Sequence, residues 1–366
     1  MTVGFETLAG MLGCDRFGGL SLGWVVGFVG ALLLGGCQTT PATFGPPLAG
    51  PETIGATVAK LTAEAASLPP LLHSRWAVEF VAAVPQLVPV SPRRLYHSPD
   101  GRMYLSESEA RVQRPGPAGL TGLVADSADE ASYYVGSLGS PLFHARLIDL
   151  IAEGQAAKLA GKRGLDLEVG AIGPLKLMAG AGMDAVGVSA SPRLRALYSL
   201  PGDQGPVALP GRDLSGHVTL LHGSFPADPS LRARVGSGYE FVLAKNVLLR
   251  GYIHPTSDVP PESRHDLGLP DADYLRALRD TLRPGGRLLI YNLCPSPSPA
   301  VYEPGSDCRC PFDRADLQAA GWVVRDYDRN DTEAARQYAT ALGYDRPPQS
   351  LRIDSLYALY TLLQRP

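Results

Sequence analysis

The chain has 366 residues, 45% of them hydrophobic and 19% charged, with a formal net charge of −3. That balance leaves no basic footprint for a nucleic-acid partner, and five cysteines in such a length do not make a disulfide scaffold. No Ser-His-Asp arrangement, Walker loop, metal-binding helix motif or EF-hand loop is present, so no metal site is expected.

Residues 20 to 34 carry no charge and lead into Leu34-Gly35-Gly36-Cys37. The run has 15 residues, short of the ~20 that a membrane-spanning helix needs. Arg16 is the one positive charge before it, with Glu6 and Asp15 on the same side. The layout resembles the signal peptide and lipobox of a bacterial lipoprotein. It implies a signal peptide over residues 1–36, acyl chains on Cys37, and a membrane association through that lipid anchor. Gln38 in the next position implies the outer membrane, facing the periplasm; a misassigned start would instead leave the protein in the cytoplasm. Residues 38 to 52 hold four prolines and no apolar period, which makes 37–52 a lipidated tether. Roughly 310 residues remain, enough for one large domain or a domain with an elaborate cap.

Residues 53–160 form a mainly helical region. Ile54, Val58, Leu61 and Ala65 are spaced three or four apart and predict an amphipathic helix over 53–68, and a second is expected from Ser74 to Val84 between Pro70 and Pro85. Residues 85 to 125 are rich in Pro, Gly and Ser, with a turn at Ser98-Pro99-Asp100-Gly101. Helices are then expected over Asp126–Tyr134 and Pro141–Leu159, the second with Leu142, Ala145, Ile148, Leu150 and Ile151 on its apolar side. The aromatic pair Tyr133-Tyr134 is expected in the core, where it also has the place to cap a crevice.

From Gly164 the pattern changes to short apolar strands alternating with helices. Strands are predicted at 164–169, 184–189, 217–222, 239–244, 286–293, 322–328 and 355–364. Such alternation argues for a doubly wound parallel α/β sheet. An open sheet of this kind presents its crevice at the carboxyl ends of its strands. There the chain reads Leu165-Asp166-Leu167-Glu168-Val169-Gly170-Ala171-Ile172-Gly173-Pro174, a strand, a glycine turn and the start of a helix, which lets backbone amides approach a ligand.

Further landmarks are Asp184-Ala185-Val186-Gly187-Val188-Ser189, Tyr239 to Asn246, and Asp280-Thr281-Leu282-Arg283-Pro284-Gly285-Gly286-Arg287 before a strand. Together they resemble the class I S-adenosylmethionine-dependent methyltransferases, over 161–366. The resemblance implies a seven-stranded, Rossmann-like sheet with an antiparallel last strand, a small-molecule ligand, and S-adenosylmethionine held at Asp166, Glu168, Gly170, Gly173, Ser189 and Ser224. Three of these positions depart from the family pattern. Ser189 stands where the family has an acid for the ribose hydroxyls, Glu168 where it has a glycine, and His222-Gly223-Ser224 where many members place an acid near the adenine. A charge-assisted hydrogen bond contributes about 1.5–3 kcal/mol, so Ser189 alone weakens the expected grip by tenfold or more.

Lys245 and Asn246 follow the fourth strand of the sheet and are the polar candidates for a substrate-facing role, against the alternative of a solvated charge and a turn cap. His254, in Arg250-Gly251-Tyr252-Ile253-His254-Pro255, is a candidate general base because imidazole titrates near neutrality. Cys294, Cys308 and Cys310 remain in the body of the chain, and an oxidising compartment would allow a bridge from Cys294 to one of the other two. Three functions are open: a working methyltransferase, a non-catalytic anchored binding module, and a structural envelope protein whose crevice is filled from the helical region.

Overall fold

A computed structural model describes residues 54–114, 117–136, 139–208, 216–256, 259–260, 264–297, 302–347 and 350–366. The signal peptide, Cys37 and the tether lie outside these residues.

The chain enters through α1 (Ala56–Ser67) and α2 (Arg75–Val81). Ser74 starts α2 by accepting the Ala77 N–H at 3.1 Å, the usual work of a helix-capping serine. Next come β1 (Arg93–His97), β2 (Tyr104–Ser106), α3 (Glu107–Gln113), β3 (Val124–Ala128), α4 (Glu130–Tyr134) and α5 (His144–Ile151). The three strands form an antiparallel sheet in the order β2-β1-β3; β1 and β2 are joined by the turn at Ser98, whose carbonyl accepts the Gly101 N–H at 2.9 Å.

Three expectations change here. Residues 85–125 carry most of this small sheet. The helix expected from Asp126 begins at Glu130, because Asp129 caps it by accepting the Ser132 N–H at 2.8 Å while residues 124–128 pair with β1. The helix expected to Leu159 ends at Ile151, since Gly154 turns the chain with φ +74°.

The large sheet is built from β4 (Arg163–Asp166), β5 (Asp184–Ser189), β6 (Gly205–Val207), β7 (Gly216–His222), β8 (Tyr239–Lys245), β9 (Leu282–Pro295), β10 (Val323–Asn330) and β11 (Leu356–Gln364), in the order β10-β11-β9-β8-β4-β5-β7-β6. β4, β5, β7, β8 and β9 pair in parallel, and β11 lies antiparallel between β9 and β10. All seven predicted strands are present. β6 adds an antiparallel edge beside β7. Helices α6 (Gly173–Gly180), α7 (Pro192–Leu197), α8 (Pro229–Val235), α9 (Arg250–Ile253), α10 (Asp271–Thr281), α11 (Arg314–Ala319) and α12 (Thr332–Ala341) connect the strands. Coverage of both faces explains the unbroken apolar runs: Phe241, Val242, Leu243 and Ala244 of β8 are all fully buried.

The first hundred residues described are not a separate body. One hydrophobic core runs from Leu61 and Trp76 through Leu175 to Tyr338 and Leu362. Buried carboxylates tie it together. Glu130 accepts the N–H groups of Gly55 (3.2 Å), Thr57 (2.8 Å) and Val58 (3.3 Å) at the start of α1, and that of Val90 (2.8 Å). Asp203 grips Arg93 of β1 through both oxygens, at 2.8 and 2.7 Å. Asp331 does the same for Arg146 of α5 and accepts the Tyr291 hydroxyl of β9 at 2.8 Å. Removing one partner of such a group strands the rest in a dry interior, so Glu130→Ala is expected to cost about 3 kcal/mol. Urea unfolding measures it, and a loss below about 1 kcal/mol would contradict the tie.

Candidate functional site

The crevice lies where β4 and β8 end. After Asp166 the chain stays between its neighbours: the Leu167 N–H donates to the Leu243 carbonyl at 2.8 Å and the Val169 N–H to that of Val188 at 2.9 Å. Between them Glu168 is forced to φ +54°, a conformation that costs a residue with a Cβ about 1 kcal/mol or more. Its carboxylate crosses to the end of β5 and accepts the Ala190 N–H at 3.1 Å. Glycine would take this backbone without strain; the glutamate takes it and strings a side chain across the crevice mouth.

The first turn of α6 is covered as well. The Ile172 N–H donates to the Tyr198 hydroxyl at 3.0 Å, and that hydroxyl donates to the Tyr133 carbonyl at 2.8 Å. A Cβ on Gly173 would lie 2.1 Å from the Tyr134 carbonyl oxygen, and one on Gly136 would lie 2.5 Å from that of Gly170. Both glycines are therefore required by the close approach of the segment after α4 to the glycine turn. Tyr133 and Tyr134 are core residues, 3% and 1% exposed, and their backbone caps the crevice.

Beneath this cap sits a cavity of about 10 Å³, lined by His144, Asp166, Glu168, Gly170 and Lys245 among others. That is room for about one water molecule. His144 Nε2 stands 3.4 Å from Asp166 Oδ2, and His144 Nδ1 is buried without a hydrogen-bond partner. The Lys245 Nζ lies 5.4 Å from the centre of the Phe143 ring. Burial pulls the Lys245 amine down to about 8, against the opposing pull of the Asp166 charge. An acid, an imidazole and an amine thus line one narrow space.

Asp166, Glu168, Gly170 and Lys245 line the cavity, and Gly173 opens α6 beside them. Ser189 ends β5 next to the Ala190 amide, which donates to Glu168. Asn246, Ser224 and His254 do not line the cavity. Asn246 is buried at φ +57°, and its Oδ1 accepts the Leu293 N–H at 2.7 Å, so it joins the ends of β8 and β9. Ser189 Oγ accepts the Ser191 N–H at 3.2 Å. Ser224 is exposed, and its carbonyl accepts the Asp228 N–H at 2.8 Å. His254 does not line the cavity; its Nε2 pairs with Asp271 at 2.8 Å beside Phe312. His144 and Tyr198 were missed from sequence. A histidine on the apolar side of the predicted 141–159 helix was the available signal.

Among solved structures the chain is similar to the [4+2]-cyclase SpnF, at 18% identity over 60% of this chain and 80% of that one, with a TM-score of 0.37. It is similar to geranyl diphosphate C-methyltransferase from Streptomyces coelicolor A3(2), at 16% identity over 61% and 79%, TM-score 0.35. A third is the antibiotic-resistance methyltransferase Kmr, at 17% over 60% and 92%, TM-score 0.31. No protein-family model and no curated protein matches the chain. These likenesses are faint, and the strand order carries the fold. The large sheet is the doubly wound methyltransferase-type sheet. An adenosyl ligand needs a pocket of roughly 300 Å³ or more, and the space between Asp166, Gly170 and Lys245 does not fit it.

Two outcomes follow from this geometry. The Lys245 amine falls below its ordinary 10.5 in the folded chain, so between about 8 and 10.5 the unfolded chain holds the extra proton and stability rises with pH. Urea unfolding across that window will show the rise in the parent and a flatter profile in Lys245→Met; equal slopes would place the amine elsewhere. At Glu168, both Gly and Ala lose the bond to Ala190, yet only Gly relieves the backbone. Glu168→Gly is expected to be more stable than Glu168→Ala by about 1 kcal/mol, and equal stabilities would remove the strain from the account.

Proposed function

We propose that this chain is a methyltransferase-like protein whose adenosyl crevice is closed by its own residues, and that it serves as a non-catalytic binding or structural module anchored in the cell envelope. The observation that carries the proposal is the hydrogen-bonded chain from the Ile172 amide through the Tyr198 hydroxyl to the Tyr133 carbonyl. The helix start that would receive a ligand is occupied by protein. Opening it breaks two buried hydrogen bonds at about 1 kcal/mol each and exposes aromatic surface at about 1.5–3 kcal/mol per side chain. Ser189, without a carboxylate, offers a nucleoside little in return.

A working transferase is the second reading. It is favoured by Lys245, whose amine burial lowers and which lines one cavity with His144 and Asp166, since perturbed ionisable groups collect at functional sites. Calorimetric titration separates the two. No heat is expected from S-adenosylmethionine or S-adenosylhomocysteine up to ~0.1 mM, and a dissociation constant of a few micromolar would overturn closure. Anchoring rests on the run ending at Cys37. Cells fed a clickable fatty acid should label the parent protein and not Cys37→Ser, while equal labelling would remove the anchor from the proposal.

A further inference from the structure

Three cysteines of the described residues are free thiols and buried, and they do not stand in equivalent places. Cys294, near the end of β9, and Cys308, in the loop that follows it, share one small apolar cluster with Leu249 and Leu359. Cys310 belongs to a different cluster with Phe312 and Leu317, where its N–H donates to Asp328 Oδ1 at 2.7 Å.

Residues two apart on a strand share a face, and Asn292 and Cys294 both use theirs to hold the same loop. Asn292 Nδ2 donates to the Cys308 carbonyl at 3.1 Å and to the Leu248 carbonyl at 2.7 Å. The Cys294 thiol donates to the Ser306 carbonyl at 3.4 Å and packs in the same buried cluster as Cys308. From the other side, the Arg250 N–H donates to the Arg309 carbonyl at 2.9 Å and the Gly251 N–H to the Asp307 carbonyl at 3.1 Å. Gly251 is packed so closely on this loop that a Cβ there would lie 1.8 Å from the Pro304 carbonyl oxygen. The loop is thus pinned on both flanks, with Cys308 packed in one cluster with Cys294.

We propose that Cys294 and Cys308 are a disulfide-forming pair, and that their bond locks the loop over 302–310 onto the wall of the crevice that carries Lys245 and Asn246. The inference stands on the packing of this loop and is independent of the function proposed above. The oxidant is a disulfide donor such as oxidised glutathione. The thiolate of one cysteine attacks a donor sulfur, forming a mixed disulfide and releasing one donor thiolate. The thiolate of the second cysteine then attacks the protein sulfur of that intermediate, forming the Cys294–Cys308 bond and releasing the second donor thiolate. Two electrons pass from the protein thiols to the donor, and their two protons end on the released thiols.

The reaction belongs to folding. In the closed structure both cysteines are at most 2% exposed, and the Cys308 hydrogen bond together with burial pushes the Cys294 thiol well above its ordinary range, so neither is a ready nucleophile. Once formed, the bond would be shielded from reductant by the same packing.

The sequence supplies a clean readout. Residues 288–309 contain no lysine or arginine before Arg309, so both cysteines fall in one tryptic peptide, while Cys310 falls in the next, 310–314. The full chain is refolded with oxidised and reduced glutathione, denatured, alkylated and digested. The expected result is a 288–309 peptide lighter by two hydrogens and carrying no alkyl group, beside an alkylated 310–314 peptide. Cys310→Ser should leave the light peptide in place, and Cys308→Ser should abolish it. Alkylation at both Cys294 and Cys308, a glutathione adduct on either, or a link from 288–309 to 310–314 or to a peptide holding Cys14 or Cys37 would each overturn the pairing.

Discussion

The approach of one backbone to another decides what the crevice can hold. The Tyr134 carbonyl rests on the first residue of α6, and the turn at Gly136 rests on the Gly170 carbonyl. Neither contact tolerates a methyl group. A ligand between these segments would have to separate them, and Tyr198 opposes separation by bonding to both sides. The sheet keeps its strand order, and with it a crevice at the strand ends. The region before β4 packs over the glycine turn at that crevice.

Closure of this kind needs the covering segment to be held firmly, and the buried carboxylates do so. Asp203 is the clearest case. It binds Arg93 of the small sheet, accepts the Tyr133 hydroxyl at 2.9 Å and accepts the Leu200 N–H at 2.9 Å. One acid thus fixes β1, the end of α4 and the loop after α7 relative to one another. Tyr133 is thus held at both ends, its hydroxyl on Asp203 and its carbonyl under the Tyr198 hydroxyl. The Arg93 guanidinium lies 4.7 Å from the Tyr133 ring centre, which adds a cation–π contact to the same joint.

How much of this was legible in the sequence depended on whether the cause was local. The seven main strands were visible because each is a short apolar run covered on both faces, bounded by turns. β6, with Pro206 between Gly205 and Val207, carries no such run and exists because it pairs with β7. The small sheet was hidden for the same reason: β3 pairs with a strand roughly thirty residues earlier, and its exposed residues show no apolar alternation. In the crevice, the substitution at Ser189 and the misplaced Glu168 were visible as residue types. That the Glu168 carboxylate would reach the Ala190 amide, and that His144 would meet Asp166, are tertiary facts. Asn246 was read with two roles, a substrate-facing group or a turn cap; its bond to the Leu293 amide is a third, a tie between the ends of β8 and β9.

Closure has a direct signature in hydrogen exchange at the amides that line the crevice. The Ile172 N–H, bonded to a buried tyrosine hydroxyl, and the Val169 N–H, bonded to β5, should exchange as slowly as the core of the sheet. Adding S-adenosylhomocysteine should leave both rates unchanged. Rapid exchange of these amides in the free protein, slowed by the nucleoside, would mean that the crevice opens and grips a ligand, and would contradict the account.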